Sequence, residues 1–347
     1  MAWPLADVPG AQAGRPLWWL QLLSLAGLAW VVQRQPSWRR AALLGWLFAT
    51  AWLTGTFWWL FVSMHTYGGL AAPLAALAVL ALAAFLALYY AAACAAWVAL
   101  GWMGPVRGAT VFAALWTLAE LARGNWFTGF PWGAGGYAHT DGLLAGYAPW
   151  LGVYGLGAVA AWLAMSLARV QACGRLQRVA VLALLTLPSV MQMGGSAHTA
   201  STGGLQVALL QGNVPQDEKF QPGTGVPLAL RWYGEQLRDA RAALVVAPET
   251  AVPMLPQQLP AGYWSALEQR FATGSQAALV GIPLGSFKDG YTNSVIGLRP
   301  GAPVYRFDKH HLVPFGEFIP PLFKWFTDLM NIPLGDFNRG EVGQPSF

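Results

Sequence analysis

Charged residues are scarce in this sequence of 347 residues, since only 10% are Asp, Glu, Lys or Arg while 56% are hydrophobic. A water-soluble globular protein carries about 25% charged residues, so this scarcity indicates that part of the chain lies in lipid. The positive mean hydropathy of +0.43 points the same way. A wholly water-soluble protein is therefore excluded, and the remaining charges become informative because there are so few of them.

Lysine is absent from residues 1–203, which hold nine Arg and three acidic residues. Residues 204–347 hold eleven Lys or Arg and twelve acidic residues, a nearly balanced set. This change of composition predicts two domains, a transmembrane helical bundle over 1–203 and a soluble domain over 204–347. The Arg residues of the first domain lie between apolar runs and do not follow one face. The basic pI of 9.4 is therefore not read as a sign of nucleic-acid binding.

Cysteine is almost absent as well, because Cys94 and Cys173 are the two in the chain and both precede residue 204. A disulfide framework and a cysteine-based metal site are therefore excluded for the soluble domain. His310 and His311 are adjacent, and neighbouring side chains of an extended segment point to opposite faces. We predict neither a metal site nor a cofactor.

Long apolar runs, in contrast, are abundant before residue 195. A membrane-spanning helix needs about 20 mostly apolar residues, and the sequence predicts about six such spans. They lie near residues 16–33, 41–62, 70–101, 108–123, 148–168 and 178–194.

The arginines between these runs predict how the bundle is oriented. The first, third and fifth loops carry seven Arg, whereas the second and fourth carry one. Positively charged loops stay in the cytoplasm, so the soluble domain that follows the sixth span is expected on the other side of the membrane. In a Gram-negative bacterium that side is the periplasm.

Two features of the bundle leave open alternatives. Glu120 is a candidate functional carboxylate, but its place near the end of a short run favours a helix-end group near the lipid headgroups, close to Arg123. The fourth loop, residues 123–150, is dense in glycine and aromatic residues. It is either an aromatic belt at the membrane interface or part of an entrance for lipid.

Beyond Gly204 short apolar runs alternate with helical patterns. Strands are predicted over 205–211, 243–247, 277–283, 291–298 and 303–307, and helices over 228–242 and 263–273. The last two strands are expected to form a hairpin. Alternating strands and helices followed by a strand pair predict an α/β layer structure with a mixed sheet.

Charged residues follow two of these strands. Glu249 comes directly after the second strand and Lys309 directly after the last, where loops on a rigid scaffold carry catalytic groups. A carboxylate and an ammonium group that converge in a cleft can act as general base and oxyanion stabiliser. They can equally form an ordinary ion pair. Glu317 is a second acid, either in the same cleft or in a solvated loop.

Four segments in order along the chain resemble the apolipoprotein N-acyltransferases, which complete bacterial lipoprotein maturation. The segments are RGNWFTGFPWGAGGYAHTDGLLAGYAPWLGVYG (123–155), LLQGNVPQDEKF (209–220), VVAPETAVP (245–253) and DKHHLVPFGEFIPP (308–321). The resemblance implies a multi-pass protein of the bacterial inner membrane with a nitrilase-like αββα sandwich on the periplasmic side.

The resemblance also implies the chemistry. A Glu-Lys-Cys triad would take an acyl chain from a phospholipid as a thioester and pass it to the α-amine of a diacylglyceryl apolipoprotein. Glu249 matches the family's general base, Lys309 the residue that stabilises the tetrahedral intermediate, and Glu317 a supporting acid.

The sequence departs from the family's pattern at the position of the nucleophile. The family's nucleophilic cysteine follows the segment around Glu317, and no cysteine lies there before Phe347. We therefore expect a fragment, short also by one helix at the amino end, that does not complete acyl transfer. Two alternatives are a membrane scaffold with a degenerate nitrilase-like domain and an amide hydrolase of the wider nitrilase group.

Overall fold

Apolar runs in the first part of the chain form α-helices, separated by short segments that contain glycine, proline or arginine. The computed structural model describes residues 16–101, 103–193, 199–286, 288–313, 316–318 and 337–347. The α-helices of the first two ranges are α1 (Trp18–Val32), α2 (Trp38–Thr56), α3 (Trp58–Val62), α4 (Ala72–Ala99), α5 (Pro105–Asn125), α6 (Ala148–Ala168) and α7 (Arg175–Met193). Each predicted span coincides with a helix, the second being divided between α2 and α3.

Length and apolar character distinguish these helices. Among the described residues, α4 and the helical stretch Ala145–Ala168 are long and apolar enough to cross a membrane, and α2 joins them if it is counted with Trp58–Tyr67 across a bend of 54°. Helix α1 is apolar but shorter, with 15 residues. The chain therefore has membrane helices, while their number stays a prediction.

Small residues bring the long helices of the bundle together. On α2, Ala41 and Ala49 are fully buried, as is Ala83 on α4. A side chain on Gly45 would lie 2.7 Å from Sγ of Cys94 on the facing helix. Because lipid is as apolar as the helix surfaces, close backbone approach at small residues is what favours helix association.

The position of Glu120 in the structure differs from the position interpreted from the sequence. Helix α5 continues to Asn125, more than a turn beyond Glu120, because the arginine and glycine at 123 and 124 do not interrupt it. The carboxylate is fully buried in the bundle and accepts the N–H of Gly135 at 2.8 Å. Glu120 is therefore a buried carboxylate a little more than one turn before the end of α5, and its place near the headgroups stays a prediction.

The second part of the chain forms a separate compact unit, and the division falls between Ala200 and Ser201. Its helices and strands are β1 (Val207–Leu209), α8 (Gly225–Asp239), β2 (Leu244–Val246), α9 (Tyr263–Thr273), β3 (Ala277–Ser286), β4 (Gly290–Leu298) and β5 (Tyr305–Asp308). The strands lie in the order β1-β2-β3-β4-β5, parallel from β1 to β3 and antiparallel from β3 to β5. The predicted mixed sheet is confirmed.

The two faces of this sheet differ. Apolar side chains of α8 and α9, among them Leu237 and Phe271, pack on one face against Val245, Ala278 and Leu298. These contacts form the core of the unit and hold the strands in register.

On the opposite face, apolar side chains are exposed among the described residues. Leu209 is 77% exposed and Val207 is 43% exposed. The residues of β4 and β5 that lie on this opposite face lead to the candidate site.

Candidate active site

The turn after β2 carries Glu249. The backbone of this turn is strained, because Thr250 adopts a φ of +52° in the left-handed region. Strand β3 holds the turn, since the N–H of Val252 donates to the carbonyl of Gly281 at 3.1 Å. A side chain on Gly281 would lie only 2.2 Å from the carbonyl oxygen of Pro248, so glycine is required for this close approach.

The main chain on both sides of Lys309 is also held. The N–H of Lys309 donates to the carbonyl of Asn293 at 2.8 Å, which extends the β4–β5 ladder by one residue. The N–H of Gly340 donates to the carbonyl of Lys309 at 3.0 Å. Asn293 and Lys309 therefore lie side by side on the sheet face opposite to α8 and α9.

The structure brings the three predicted residues together. Nζ of Lys309 lies 3.2 Å from Oε1 of Glu249 and 2.9 Å from Oε1 of Glu317. Glu317 is nearly buried, and its other oxygen accepts the N–H of Val313 at 2.8 Å. The ordinary alternative of a single Glu249–Lys309 ion pair is too simple, because one ammonium group bridges two carboxylates.

Asn293 completes the cluster and was not predicted. Its side-chain amide donates to Oε1 of Glu249 and to Oε1 of Glu317, the two oxygens that Lys309 also contacts. The four side chains thus form a closed ring of two donors and two acceptors. In the sequence, Asn293 is a polar residue within a run that is otherwise typical of a strand. Its role at the site becomes visible only when the pairing of β3 with β4 is known.

Lys219 was also missed. Its Nζ donates to the main-chain carbonyl of Glu249 at 3.2 Å, from a turn that follows β1. Burial lowers the pKa of Lys219 more than the charge of Glu249 raises it. The turn that carries Glu249 is therefore held by β3 on one side and by Lys219 on the other.

The second carboxylate oxygen of Glu249 is open. Among the described residues, no hydrogen bond reaches Oε2, and the side chain is 59% exposed. A general base must offer a lone pair to the proton it removes. Oε1 fixes the carboxylate and Oε2 is available for proton transfer.

The charge states of the site follow from these contacts. Partial burial alone would raise the pKa of Glu249, but the hydrogen bond from Asn293 and the charge of Lys309 outweigh it and lower the pKa. Burial acts to lower the pKa of Lys309, but the hydrogen bond to Glu317 and the charge of Glu249 outweigh it and raise the pKa. At neutral pH the site holds an ionised carboxylate beside a protonated lysine.

Other candidate groups lie elsewhere. Cys94 and Cys173 belong to the helical unit, where both are buried. Nδ1 of His310 is bound to the carbonyl of Gly340 at 2.6 Å. Within the part of the chain that the structure describes, no group of three or more His, Cys, Asp or Glu is placed to hold a metal ion.

Comparison with known proteins identifies the family. Residues 8–166 match the family model described as the apolipoprotein N-acyltransferase N-terminal domain. The chain is 55% identical to the apolipoprotein N-acyltransferase of Verminephrobacter eiseniae, an alignment that covers 100% of this chain and 67% of that protein. The chain belongs to the apolipoprotein N-acyltransferase family.

Two further relatives agree. The apolipoprotein N-acyltransferase of Ralstonia nicotianae is 45% identical over 99% of this chain and 67% of its own length. A putative apolipoprotein N-acyltransferase of Bordetella parapertussis is 42% identical over 100% of this chain and 69% of its own length. The chain thus spans about two thirds of these apolipoprotein N-acyltransferases, and it is an acyltransferase with membrane helices and an α/β unit.

Proposed function

We propose that this acyltransferase moves an acyl chain from a phospholipid to the α-amine of the N-terminal diacylglyceryl-cysteine of an apolipoprotein, through a cysteine thioester. The observation that carries the proposal is the ring of Glu249, Lys309, Glu317 and Asn293, which leaves one oxygen of Glu249 open beside a fixed ammonium group.

In the first half-reaction Glu249 takes the proton of a cysteine thiol, because the thiolate is the nucleophile. The thiolate attacks the ester carbonyl of the phospholipid, and the ammonium group of Lys309 stabilises the oxyanion that forms. When the carbon–oxygen bond breaks, the leaving lysophospholipid takes the proton back from Glu249. The product is an acyl thioester.

In the second half-reaction the α-amine of the apolipoprotein attacks the thioester. Glu249 accepts a proton from this amine, Lys309 again stabilises the oxyanion, and the thiol leaves with the proton. An amide bond has formed, and the enzyme has returned to its starting state.

Glu317 and Asn293 support these two residues without touching the reacting atoms. Glu317 is anchored by the N–H of Val313 and keeps Lys309 protonated. Asn293 holds Oε1 of Glu249, so that Oε2 faces outward. Neither Cys94 nor Cys173 is proposed as the nucleophile, because both are buried in the helical unit. The thioester cysteine is proposed to lie in the third of the family's enzyme that these 347 residues do not span.

The finer fold is proposed to be a nitrilase-like αββα sandwich. Support comes from the sheet face opposite to α8 and α9, on which Leu209 and Val207 are exposed. An apolar face of this kind is expected to pack against a second sheet at about 10 Å. The site residues Asn293 and Lys309 lie on this face, which would put them between the two sheets.

The arginine-rich odd loops support an orientation with the α/β unit on the periplasmic side of the inner membrane. Both proposed substrates are lipids of the outer leaflet, which explains why such a unit is tethered to membrane helices.

A transfer assay with the full-length protein in detergent tests the function. With a phospholipid labelled in its acyl chain and a diacylglyceryl lipopeptide as acceptor, we expect label on the α-amine of the lipopeptide. The wider nitrilase alternative predicts hydrolysis of a soluble amide and no labelled lipopeptide. Label that appears only as free fatty acid would also contradict the proposal.

Asn293→Ala is expected to make transfer more sensitive to acid. Without the amide hydrogen bond the pKa of Glu249 rises, and Glu249 is active only when ionised. The acid limb of the rate–pH profile therefore moves to higher pH, with a loss of about tenfold in rate on that limb from one hydrogen bond to a charged group. Asn338→Ala, which removes an amide bound to the carbonyl of Asp289, is the control. An unshifted acid limb in Asn293→Ala would contradict the role of the ring.

A further inference from the structure

Two charged side chains are buried together in the helical unit. Glu120 and Arg123 lie one turn apart on α5, and both are completely inaccessible to solvent. Burial of charge costs free energy unless the group is well hydrogen-bonded, so a pair of such residues within a membrane unit calls for a functional reason. The ring of Glu249 does not use them.

Arg123 forms hydrogen bonds with the main chain of the loop that follows α5. Its Nη1 donates to the carbonyl oxygens of Phe130 at 2.5 Å and Trp132 at 2.8 Å. Its Nε donates to the hydroxyl of Tyr90 on α4 at 3.0 Å. One guanidinium group therefore ties two loop carbonyls to α4 and α5.

Glu120 binds the main chain of the same loop, at a residue that follows those bound by Arg123. Its Oε1 accepts the N–H of Gly135, and its Oε2 is buried with no hydrogen-bond partner among the described residues. A side chain on Gly157 of α6 would lie 2.9 Å from that oxygen, and one on Gly136 would lie 1.9 Å from the carbonyl of Val153. The loop is thus held between α5 and α6, by a hydrogen bond to Glu120 and by close packing against α6.

This loop, residues 126–139, is called here the aromatic segment. Trp126 and Phe127 are 64% and 79% exposed, and Phe127 adopts a φ of +52°, a strained conformation for an aromatic residue. Phe130 packs edge-on against Phe57, which lies between α2 and α3 at the 54° bend. Broken membrane helices are tolerated where protein packs against them, and they often mark substrate sites.

We propose that Glu120 and Arg123 are positioning residues, which fix the aromatic segment in the conformation that binding of the lipid substrate requires. The hydrogen bonds of Glu120 and Arg123 reach the aromatic segment and Tyr90 within the first unit, so we expect their effect in binding of the lipid and not in the chemical step. This inference rests on the proposed phospholipid donor.

The role of Glu120 is that of a hydrogen-bond acceptor. The carboxamide of Glu120→Gln keeps an oxygen for the N–H of Gly135, whereas Glu120→Leu leaves that N–H buried and unpaired. Likewise, the ammonium group of Arg123→Lys does not span Tyr90 and two carbonyls as the planar guanidinium does. Arg107→Gln, an exposed arginine of the same helix, is the matched control.

The experiment combines two measurements on the full-length protein in detergent. Without substrate, amide hydrogen exchange should accelerate in residues 126–139 of Glu120→Leu and Arg123→Lys, and remain slow in Glu120→Gln and Arg107→Gln. With labelled phospholipid, KM for the phospholipid should rise about tenfold in the first two variants, the effect of one unpaired buried group, while kcat stays within about twofold.

Three results would overturn the inference while the proposed phospholipid donor stands. Unchanged exchange in the aromatic segment would show that the two side chains do not hold it, and a fall in kcat at constant KM would put them in the chemical step. Equal impairment of Glu120→Gln and Glu120→Leu would assign the role to charge. Absence of phospholipid turnover in the unsubstituted protein would instead overturn the proposed donor, and with it the lipid-binding role. If Glu120→Leu does not fold, Arg123→Lys carries the test.

Discussion

Glu249→Gln is expected to reduce the rate of acyl-enzyme formation by about 10³-fold, the contribution typical of a positioned general base. The substitution is nearly isosteric, and its carboxamide oxygen still accepts the hydrogen bonds that Asn293 and Lys309 donate to Oε1. Loss of rate therefore reports loss of the base and not collapse of the site. Single-turnover labelling with radioactive phospholipid measures it.

Glu235→Gln provides the matched control, because Glu235 is an exposed carboxylate on α8 of the same unit. It should leave the rate unchanged. A Glu249→Gln variant that labels at the rate of the unsubstituted protein would remove Glu249 from the catalytic group.

Lys309→Met is expected to cost about 10²–10³-fold in the same assay, because the oxyanion loses its fixed positive charge. A second effect follows from the ring. Without the charge of Lys309 the pKa of Glu249 rises, so the fraction of ionised base falls at a higher pH than in the unsubstituted protein. The variant should therefore combine a lower maximal rate with an acid limb that is shifted to higher pH.

Lys288→Met, which removes an exposed lysine between β3 and β4, controls for a general loss of charge. An unchanged maximal rate with only the acid limb shifted would mean that Lys309 tunes Glu249 and does not stabilise the oxyanion.

Much of the α/β unit could be predicted from local patterns. The helix predicted over 263–273 has the bounds of α9, because its apolar positions repeat at helical spacing and Gly274 follows it directly. The last strand was less well predicted, since 303–307 was expected and Tyr305–Asp308 is observed. Pro303 has no N–H to donate, and the ladder with β4 decides the bounds.

The candidate site could be predicted only in part. Glu249 and Lys309 each follow a strand, which is a local signal, whereas Asn293 joins them through the antiparallel pairing of β3, β4 and β5. Lys219 reaches Glu249 from a turn after β1. Contacts of this kind depend on tertiary packing, which a single sequence does not reveal.

Glu120 illustrates the same limit. Its place near the end of a short apolar run suggested a helix-end carboxylate near the headgroups, but Glu120 is fully buried and accepts the N–H of Gly135. Hydropathy shows where an acid lies in a run, whereas the loop contacts that bury it depend on tertiary packing.

A double-mutant cycle tests most directly whether Glu249 and Lys309 act as one catalytic group. Single-turnover acyl-enzyme formation from labelled phospholipid would be measured for the unsubstituted protein, Glu249→Gln, Lys309→Met and the double variant. Because residues that act as a unit have strongly non-additive effects, the double variant should lose about as much rate as the more impaired single variant. A loss equal to the product of the two single losses would contradict this account.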